Sequence, residues 1–126
     1  MSPFADMIFN GGSVIKNSDN DWLTPAILAA IRTSYLAGRD PLDPLASPMY
    51  GSLRGLPRLY IQAGTHELLL SDVASFVDKA RWAGVPVQFE IWEGMFHCWQ
   101  LFSRQIAEGE RATELAGTFI HEAIIR

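Results

Sequence analysis

A chain of 126 residues has the length of one ordinary domain and no room for two independent cores, and 48% hydrophobic with 19% charged residues is the composition of a packed globular protein. Ten Lys and Arg against fourteen Asp and Glu leave a net charge of −4 with the basic residues scattered, which argues against a nucleic-acid partner. Cys98, the single cysteine, excludes an intrachain disulfide and a thiolate zinc cage, and no apolar run approaches the ~20 residues that a membrane-spanning helix needs.

From Met1 to Asp21 the chain is turn-rich, with Asn10-Gly11-Gly12 and Asn17-Ser18-Asp19-Asn20-Asp21 and no sustained period of either kind, and it is expected to be loop. Thr24-Pro25 supplies an N-cap and a proline at the first helical position. Ile27, Leu28, Ile31, Tyr35 and Leu36 then recur at helical spacing until Gly38, which predicts a helix. Residues 40–55 hold Pro41, Pro44 and Pro48 and predict an ordered irregular segment. The apolar-rich run after Pro57 predicts a strand over about 57–63, buried on both faces in a parallel sheet. Ser71-Asp72 starts a helix with Val73, Phe76, Val77, Ala80 and Ala83 in one stripe, and Gly84 stops it. A second strand follows over about 85–92, with Val85, Val87, Phe89 and Ile91 alternating against Pro86, Gln88, Glu90 and Trp92. A last helix runs from about Gly109 to Ile125, apolar at Ala112, Leu115, Ala116, Phe119, Ile120 and Ala123. Strand, helix and strand in this order form a right-handed crossover unit with parallel strands. Parallel pairs normally lie deep in larger sheets, so two strands alone read as a piece of one.

Glu67 ends Gly64-Thr65-His66-Glu67, directly after the first strand, and His97 ends Glu93-Gly94-Met95-Phe96-His97, directly after the second. Adjacent parallel strands therefore deliver a carboxylate and an imidazole to one edge of the sheet, where open α/β sheets place their ligands and catalytic groups. A carboxylate bonded to one imidazole nitrogen fixes the tautomer and stabilises the imidazolium that forms when the other nitrogen takes a proton. These are two parts of a hydrolytic triad. For the third, no serine lies in a Gly-x-Ser-x-Gly elbow, and no His-Gly-Gly run offers an oxyanion hole. Ser13, after Asn10-Gly11-Gly12, is the nearest imitation and lacks the strand-to-helix context. Cys98 is more nucleophilic in principle, but adjacency to His97 aims the two side chains apart unless the loop turns sharply, so it is expected to be a packing residue. Asp72 reads as a first-turn helix acid, His66 as a polar neighbour and His121 as a surface residue. Trp22 and Trp99, near the His97 loop, are the tryptophans that are candidates for substrate contact.

Four segments in order, Ser2-Pro3-Phe4-Ala5-Asp6, Asp43-Pro44-Leu45-Ala46-Ser47-Pro48 with Tyr50, Gly64 to Asp72, and Glu93 to His97, carry a family resemblance. The chain resembles the carboxyl-terminal part of the hormone-sensitive-lipase-like esterases, the alpha/beta hydrolase fold-3 group, over essentially its whole length. The resemblance implies an α/β fold, the C-terminal part of an α/β-hydrolase with two parallel strands and about three main helices. It implies a single partial domain over 1–126, with a loop and cap-like segment at 1–56 and a sheet and helix unit at 57–126. The implied activity is hydrolysis of carboxylic esters of short to medium acyl chain, so the implied partner is a small-molecule ester substrate. His97 resembles the family's catalytic histidine, and Glu67 falls where the family has its catalytic acid, most often aspartate. Trp22 to Tyr35 resembles the cap segment that helps to cover the acyl pocket. The nucleophilic serine belongs to the amino-terminal half of the family, so the chain alone is expected to be inactive, and no metal or organic cofactor is implied. The alternative is a non-catalytic module whose open strand edges pair with a second copy or with a separate amino-terminal half. The amino terminus lacks the basic start and apolar run of a secretory signal, and the expected location is the cytoplasm.

Overall fold

The computed structural model describes residues 3–125, so Ser2 of the first family segment lies outside it. Among the described residues there are two strands, β1 (Leu59–Gly64) and β2 (Val87–Trp92), and four α-helices: α1 (Ser13–Lys16), α2 (Pro25–Leu36), α3 (Leu70–Trp82) and α4 (Ala107–Ile124). The strands pair in parallel, from Leu59 opposite Val87 to Gly64 opposite Trp92, with α3 between them in the chain. Gly84, at φ +82°, takes the left-handed conformation that ends α3, a position where a Cβ is strained.

Strand alternation divides the residues of β1 between two layers. Leu59, Ile61 and Ala63 join Val73, Val77 and Ala80 of α3, together with Leu23 and Leu28, in the main core. Val73 and Val77 are fully buried, and each such side chain stabilises the fold by about 2 kcal/mol relative to an exposed one. On the opposite face Tyr60 stacks on Phe119 of α4 at 5.3 Å, and Gln62 donates to the Ala112 carbonyl at 3.0 Å. Gln62 also accepts from Gln100 at 3.0 Å, so this fully buried amide ties β1, α4 and the segment after β2 together. The β1 strand is covered on both faces, as its composition predicts.

The segment 40–55 is irregular, as expected, and is ordered by side chains in place of ladders. Ser47 is fully buried, accepts from the Met7 amide at 2.8 Å and donates to the Pro41 carbonyl at 2.6 Å. Lys79 of α3 donates to the Gly51 carbonyl at 2.7 Å, which pins the segment to the core helix. At α2, Thr24 accepts from the Ile27 amide and Pro25 is the first helical residue.

Three expectations need correction. The first 21 residues are not loop throughout: α1 forms at Ser13–Lys16, because Ser13 is buried against the start of α3 and its hydroxyl accepts from the Ser71 amide at 2.9 Å. In β2, Val87 and Phe89 pack on the core, but Ile91 is 54% exposed, since among the described residues β2 pairs with β1 alone and the core cover ends before Ile91. In α4, Ala112 is the one residue of the predicted stripe that is buried, and Ile120 is 56% exposed. A two-stranded sheet is too narrow to cover the rest of that stripe.

Candidate active site

The site forms where the two strands end. A Cβ on Gly64 would lie 2.0 Å from the Met95 carbonyl oxygen, so glycine is what allows the loop after β2 to lie directly against the loop after β1. The contact is then stitched by the Thr65 amide to Trp92 O at 2.9 Å, the His66 amide to Met95 O at 3.0 Å, and the Gly94 amide to Thr65 Oγ1 at 2.8 Å. These bonds continue the strand pairing past the last regular residue and fix the relative position of the two loops.

Glu67 and His97 meet on this platform. Glu67 is fully buried, its Oε1 accepts from the Gly64 amide at 2.8 Å, and its Oε2 lies 3.3 Å from His97 Nδ1. The His97 ring is also buried, with Phe4 edge-on at 5.5 Å and Trp22 tilted at 5.7 Å between ring centres. With Nδ1 turned to the carboxylate, Nε2 is the nitrogen left to exchange a proton with a reacting group.

That nitrogen has a neighbour that adjacency in sequence argued against. Cys98 Sγ lies 3.2 Å from His97 Nε2. The loop does turn sharply: Cys98 sits at φ +57°, in the left-handed region, which swings its side chain back over the preceding ring. Cys98 is therefore a partner of the histidine and not the packing residue expected. Burial pulls the His97 pKa down, but the contacts with Cys98 and Glu67 outweigh it and push the pKa up to about 9.

The remaining candidates are placed differently from one another. Trp22 is 53% exposed, donates from its indole nitrogen to the His97 carbonyl at 2.7 Å, and lines an apolar cavity of about 550 Å3 with Asn20, Phe96, Leu101 and Phe102. Trp99 is fully buried against Trp92, 5.9 Å between ring centres, and does not line that cavity. Ser13 is buried with its hydroxyl engaged by Leu68 and Ser71. His66 is half-buried and His121 is exposed on α4. Asp72 lies in the first turn of α3, as read from the sequence, and burial, aided by Asp6, pushes its pKa up to about 6. Among the described residues no group of three or more His, Cys, Asp or Glu side chains is placed to hold a metal ion, and no helix is long and apolar enough to cross a membrane.

Two residues that the sequence did not single out hold the site from below. The Asn17 side-chain amide donates to the Thr65 and Glu67 carbonyls at 2.9 and 2.8 Å. Asp21 accepts from the Leu68 amide at 3.0 Å and from the His97 amide at 3.1 Å. Both belong to the Asn- and Asp-rich run 17–21, whose composition signals a turn and says nothing of which distant backbone the side chains serve.

A family model described as alpha/beta hydrolase fold matches residues 1–101. The chain is similar to an acetyl-hydrolase of Streptomyces hygroscopicus, 43% identical over 124 residues, covering 98% of this chain and 42% of that protein. An esterase of Acinetobacter venetianus is 34% identical, covering 89% of this chain and 38% of its own length. Among solved structures, EstE5 soaked with ethyl alcohol superposes with a TM-score of 0.93 at 36% identity, over 96% of this chain and 41% of that one. A hormone-sensitive lipase from a metagenome library superposes with a TM-score of 0.92 at 33% identity, over 96% and 42%. The chain thus spans about two-fifths of the length of these relatives.

Proposed function

Because this chain belongs to the alpha/beta hydrolase fold family, we propose that it is the acid and histidine part of a serine carboxylic-ester hydrolase. The observation that carries the reading is the buried contact of 3.3 Å between Glu67 and His97 Nδ1 at the carboxyl ends of adjacent parallel strands. In this reading Glu67 orients the ring and stabilises the imidazolium. Through Nε2, His97 takes the proton of a serine hydroxyl as it attacks the ester carbonyl, then returns the proton to the leaving alcohol. The serine and the oxyanion donors come from the part of the family fold that this chain does not span, and no cofactor takes part. Trp22 and the apolar cavity beside it serve the acyl chain, of short to medium length, in line with the similarity to an acetyl-hydrolase. Trp99, buried against Trp92 and outside that cavity, has no part in holding the acyl chain in this reading. The proposed location is the cytoplasm.

The decisive assay uses an aryl acetate. The chain alone is expected to hydrolyse it no faster than its His97→Ala variant. Combined with a polypeptide carrying the elbow serine and oxyanion glycines of a longer relative, it is expected to gain activity that Glu67→Ala and His97→Ala abolish. Activity of the chain alone above the His97→Ala level would refute an external nucleophile, and a formed complex without activity would refute the catalytic reading.

A second reading is favoured by one observation: Trp82, Ile120, Ile124 and Ile125 are 91%, 56%, 76% and 69% exposed on and around α3 and α4. Exposed apolar side chains of this kind favour association. In that reading the chain is a module without catalysis that pairs with a second copy or with a separate amino-terminal half.

A further inference from the structure

Both ends of the catalytic pair are held by one short stretch of chain far from them in sequence. Ser13, Asn17 and Asp21 follow at intervals of four residues, and each directs its side chain to the backbone of the loop after β1 or the first turn of α3: Ser13 to Leu68 O and Ser71 N, Asn17 to Thr65 O and Glu67 O, Asp21 to Leu68 N. Asp21 alone among the three also reaches the loop after β2, where its Oδ1 accepts from the His97 amide while Oδ2 accepts from the Leu68 amide. The next residue, Trp22, takes the His97 carbonyl. Both backbone polar groups of His97 are therefore bonded to the dipeptide 21–22, and the same carboxylate is bonded to the residue that follows Glu67.

We propose that Asp21 is a positioning residue for the acid and histidine pair: its two carboxylate oxygens clamp the acid loop to the histidine loop and set the distance from Glu67 to His97 Nδ1. The inference rests on reading Glu67 and His97 as that pair. Its logic is geometric. A contact at 3.3 Å is at the long edge of an N–H to O bond, so a small slide of either loop ends it. A carboxylate can accept two amide protons at once, one on each oxygen, which no neutral side chain of the same size does, because the amide of asparagine presents an N–H₂ in place of the second acceptor.

The test is a histidine titration by NMR on the chain itself, with amide exchange at Leu68 and His97 as a second readout. Neither depends on ester hydrolysis. Asp21→Asn, which keeps the shape and one acceptor, is expected to lower the His97 pKa by about one unit, a tenfold change in proton affinity, and to speed exchange at both amides. Asp21→Glu, which restores both acceptor oxygens, is expected to recover most of each change. If Asp21→Asn lowers the unfolding midpoint but leaves the His97 titration and both exchange rates as they were, the residue is structural only and the proposal is overturned. Should Asp21→Asn fail to fold, Asp21→Ser, which keeps a single acceptor oxygen and loses the second, takes its place: a shift in the same direction is expected, and an unchanged titration overturns the proposal. Glu67→Gln separates the two levels. An unchanged His97 pKa in that variant defeats the pairing of Glu67 with His97 itself, whatever the Asp21 variants do.

Discussion

The two ends of this small sheet are finished to different degrees. Beyond the carboxyl ends of β1 and β2, the polar backbone groups of two loops are taken up by each other and by Asn17, Asp21 and Trp22, and an acid and a histidine are buried there. Along α4 and the outer side of β2 the opposite holds. An 18-residue helix buries Gly109 and Ala112, and leaves Ile120 and Ile124 in solvent. The chain satisfies the polar groups at its strand ends but does not cover its own outer surface, as a part of a larger α/β sheet does when stability is shared across the whole sheet.

The largest effect is expected at the junction of the two loops. Gly64→Ala places a methyl group within the Met95 peptide, and is expected to cost about 3 kcal/mol or to prevent folding. Urea unfolding checks it, and a loss below about 1 kcal/mol would mean that the loops have room to part. Next comes pH. The folded His97 pKa is raised from 6.5 to about 9, so the stability it contributes is fully present below the lower value and is lost as pH rises through the upper one. Wild-type stability is therefore expected to fall across that window, and the Glu67→Gln profile to be flatter there. Asp72 adds a separate decline of the same sign at lower pH, between its ordinary 3.8 and about 6, because its raised pKa also favours the protonated folded form.

A smaller and more local change is expected from Cys98→Ala, which removes one of the two contacts that hold the His97 pKa up. The titration should move down toward the ordinary value, with stability altered by about 1 kcal/mol or less. An unmoved titration would show that Glu67 alone sets it. Smallest in stability, and largest in association, is Ile120→Asp on the open side. A surface change of this kind is expected to alter unfolding by no more than about 0.5 kcal/mol. If the exposed apolar face drives pairing of copies, light scattering should show the wild-type mass rising with concentration and the variant mass not.

What could be read from the sequence follows from how local each signal is. Thr24-Pro25, the stripe from Val73 to Ala80 and the glycine at 84 act within their own elements, and α2 and α3 stand where these residues predict them. The positions of Glu67 and His97 after two consecutive strands were legible for the same reason, since strand order alone brings them to one edge. Burial on β2 and α4 was not, because periodicity shows which residues share a face and not whether another layer exists to cover that face. Ile91 and Ile120 are the residues where that difference shows. The roles of Asp21 and Asn17 were hidden for a further reason: their partners are backbone amides and carbonyls, which carry no sequence signature. Cys98 departs from the expected packing role because its backbone is left-handed, a conformation uncommon for a residue other than glycine and without a sequence signal here.

The bonds from Asp21 have a consequence for the order in which the molecule folds. They join residues 47 and 76 positions apart, whereas β1, α3 and β2 form one continuous stretch from Leu59 to Trp92. Closing the longer loops costs more chain entropy, and the cost is repaid only after the strand ends exist to receive the carboxylate. The crossover unit is thus the natural nucleus. Mutations at Val73 or Ile61 should slow folding, while mutations at Asp21 should mainly speed unfolding. The Asp21 bonds are therefore expected to close last and to be released first, on a sheet that stays intact.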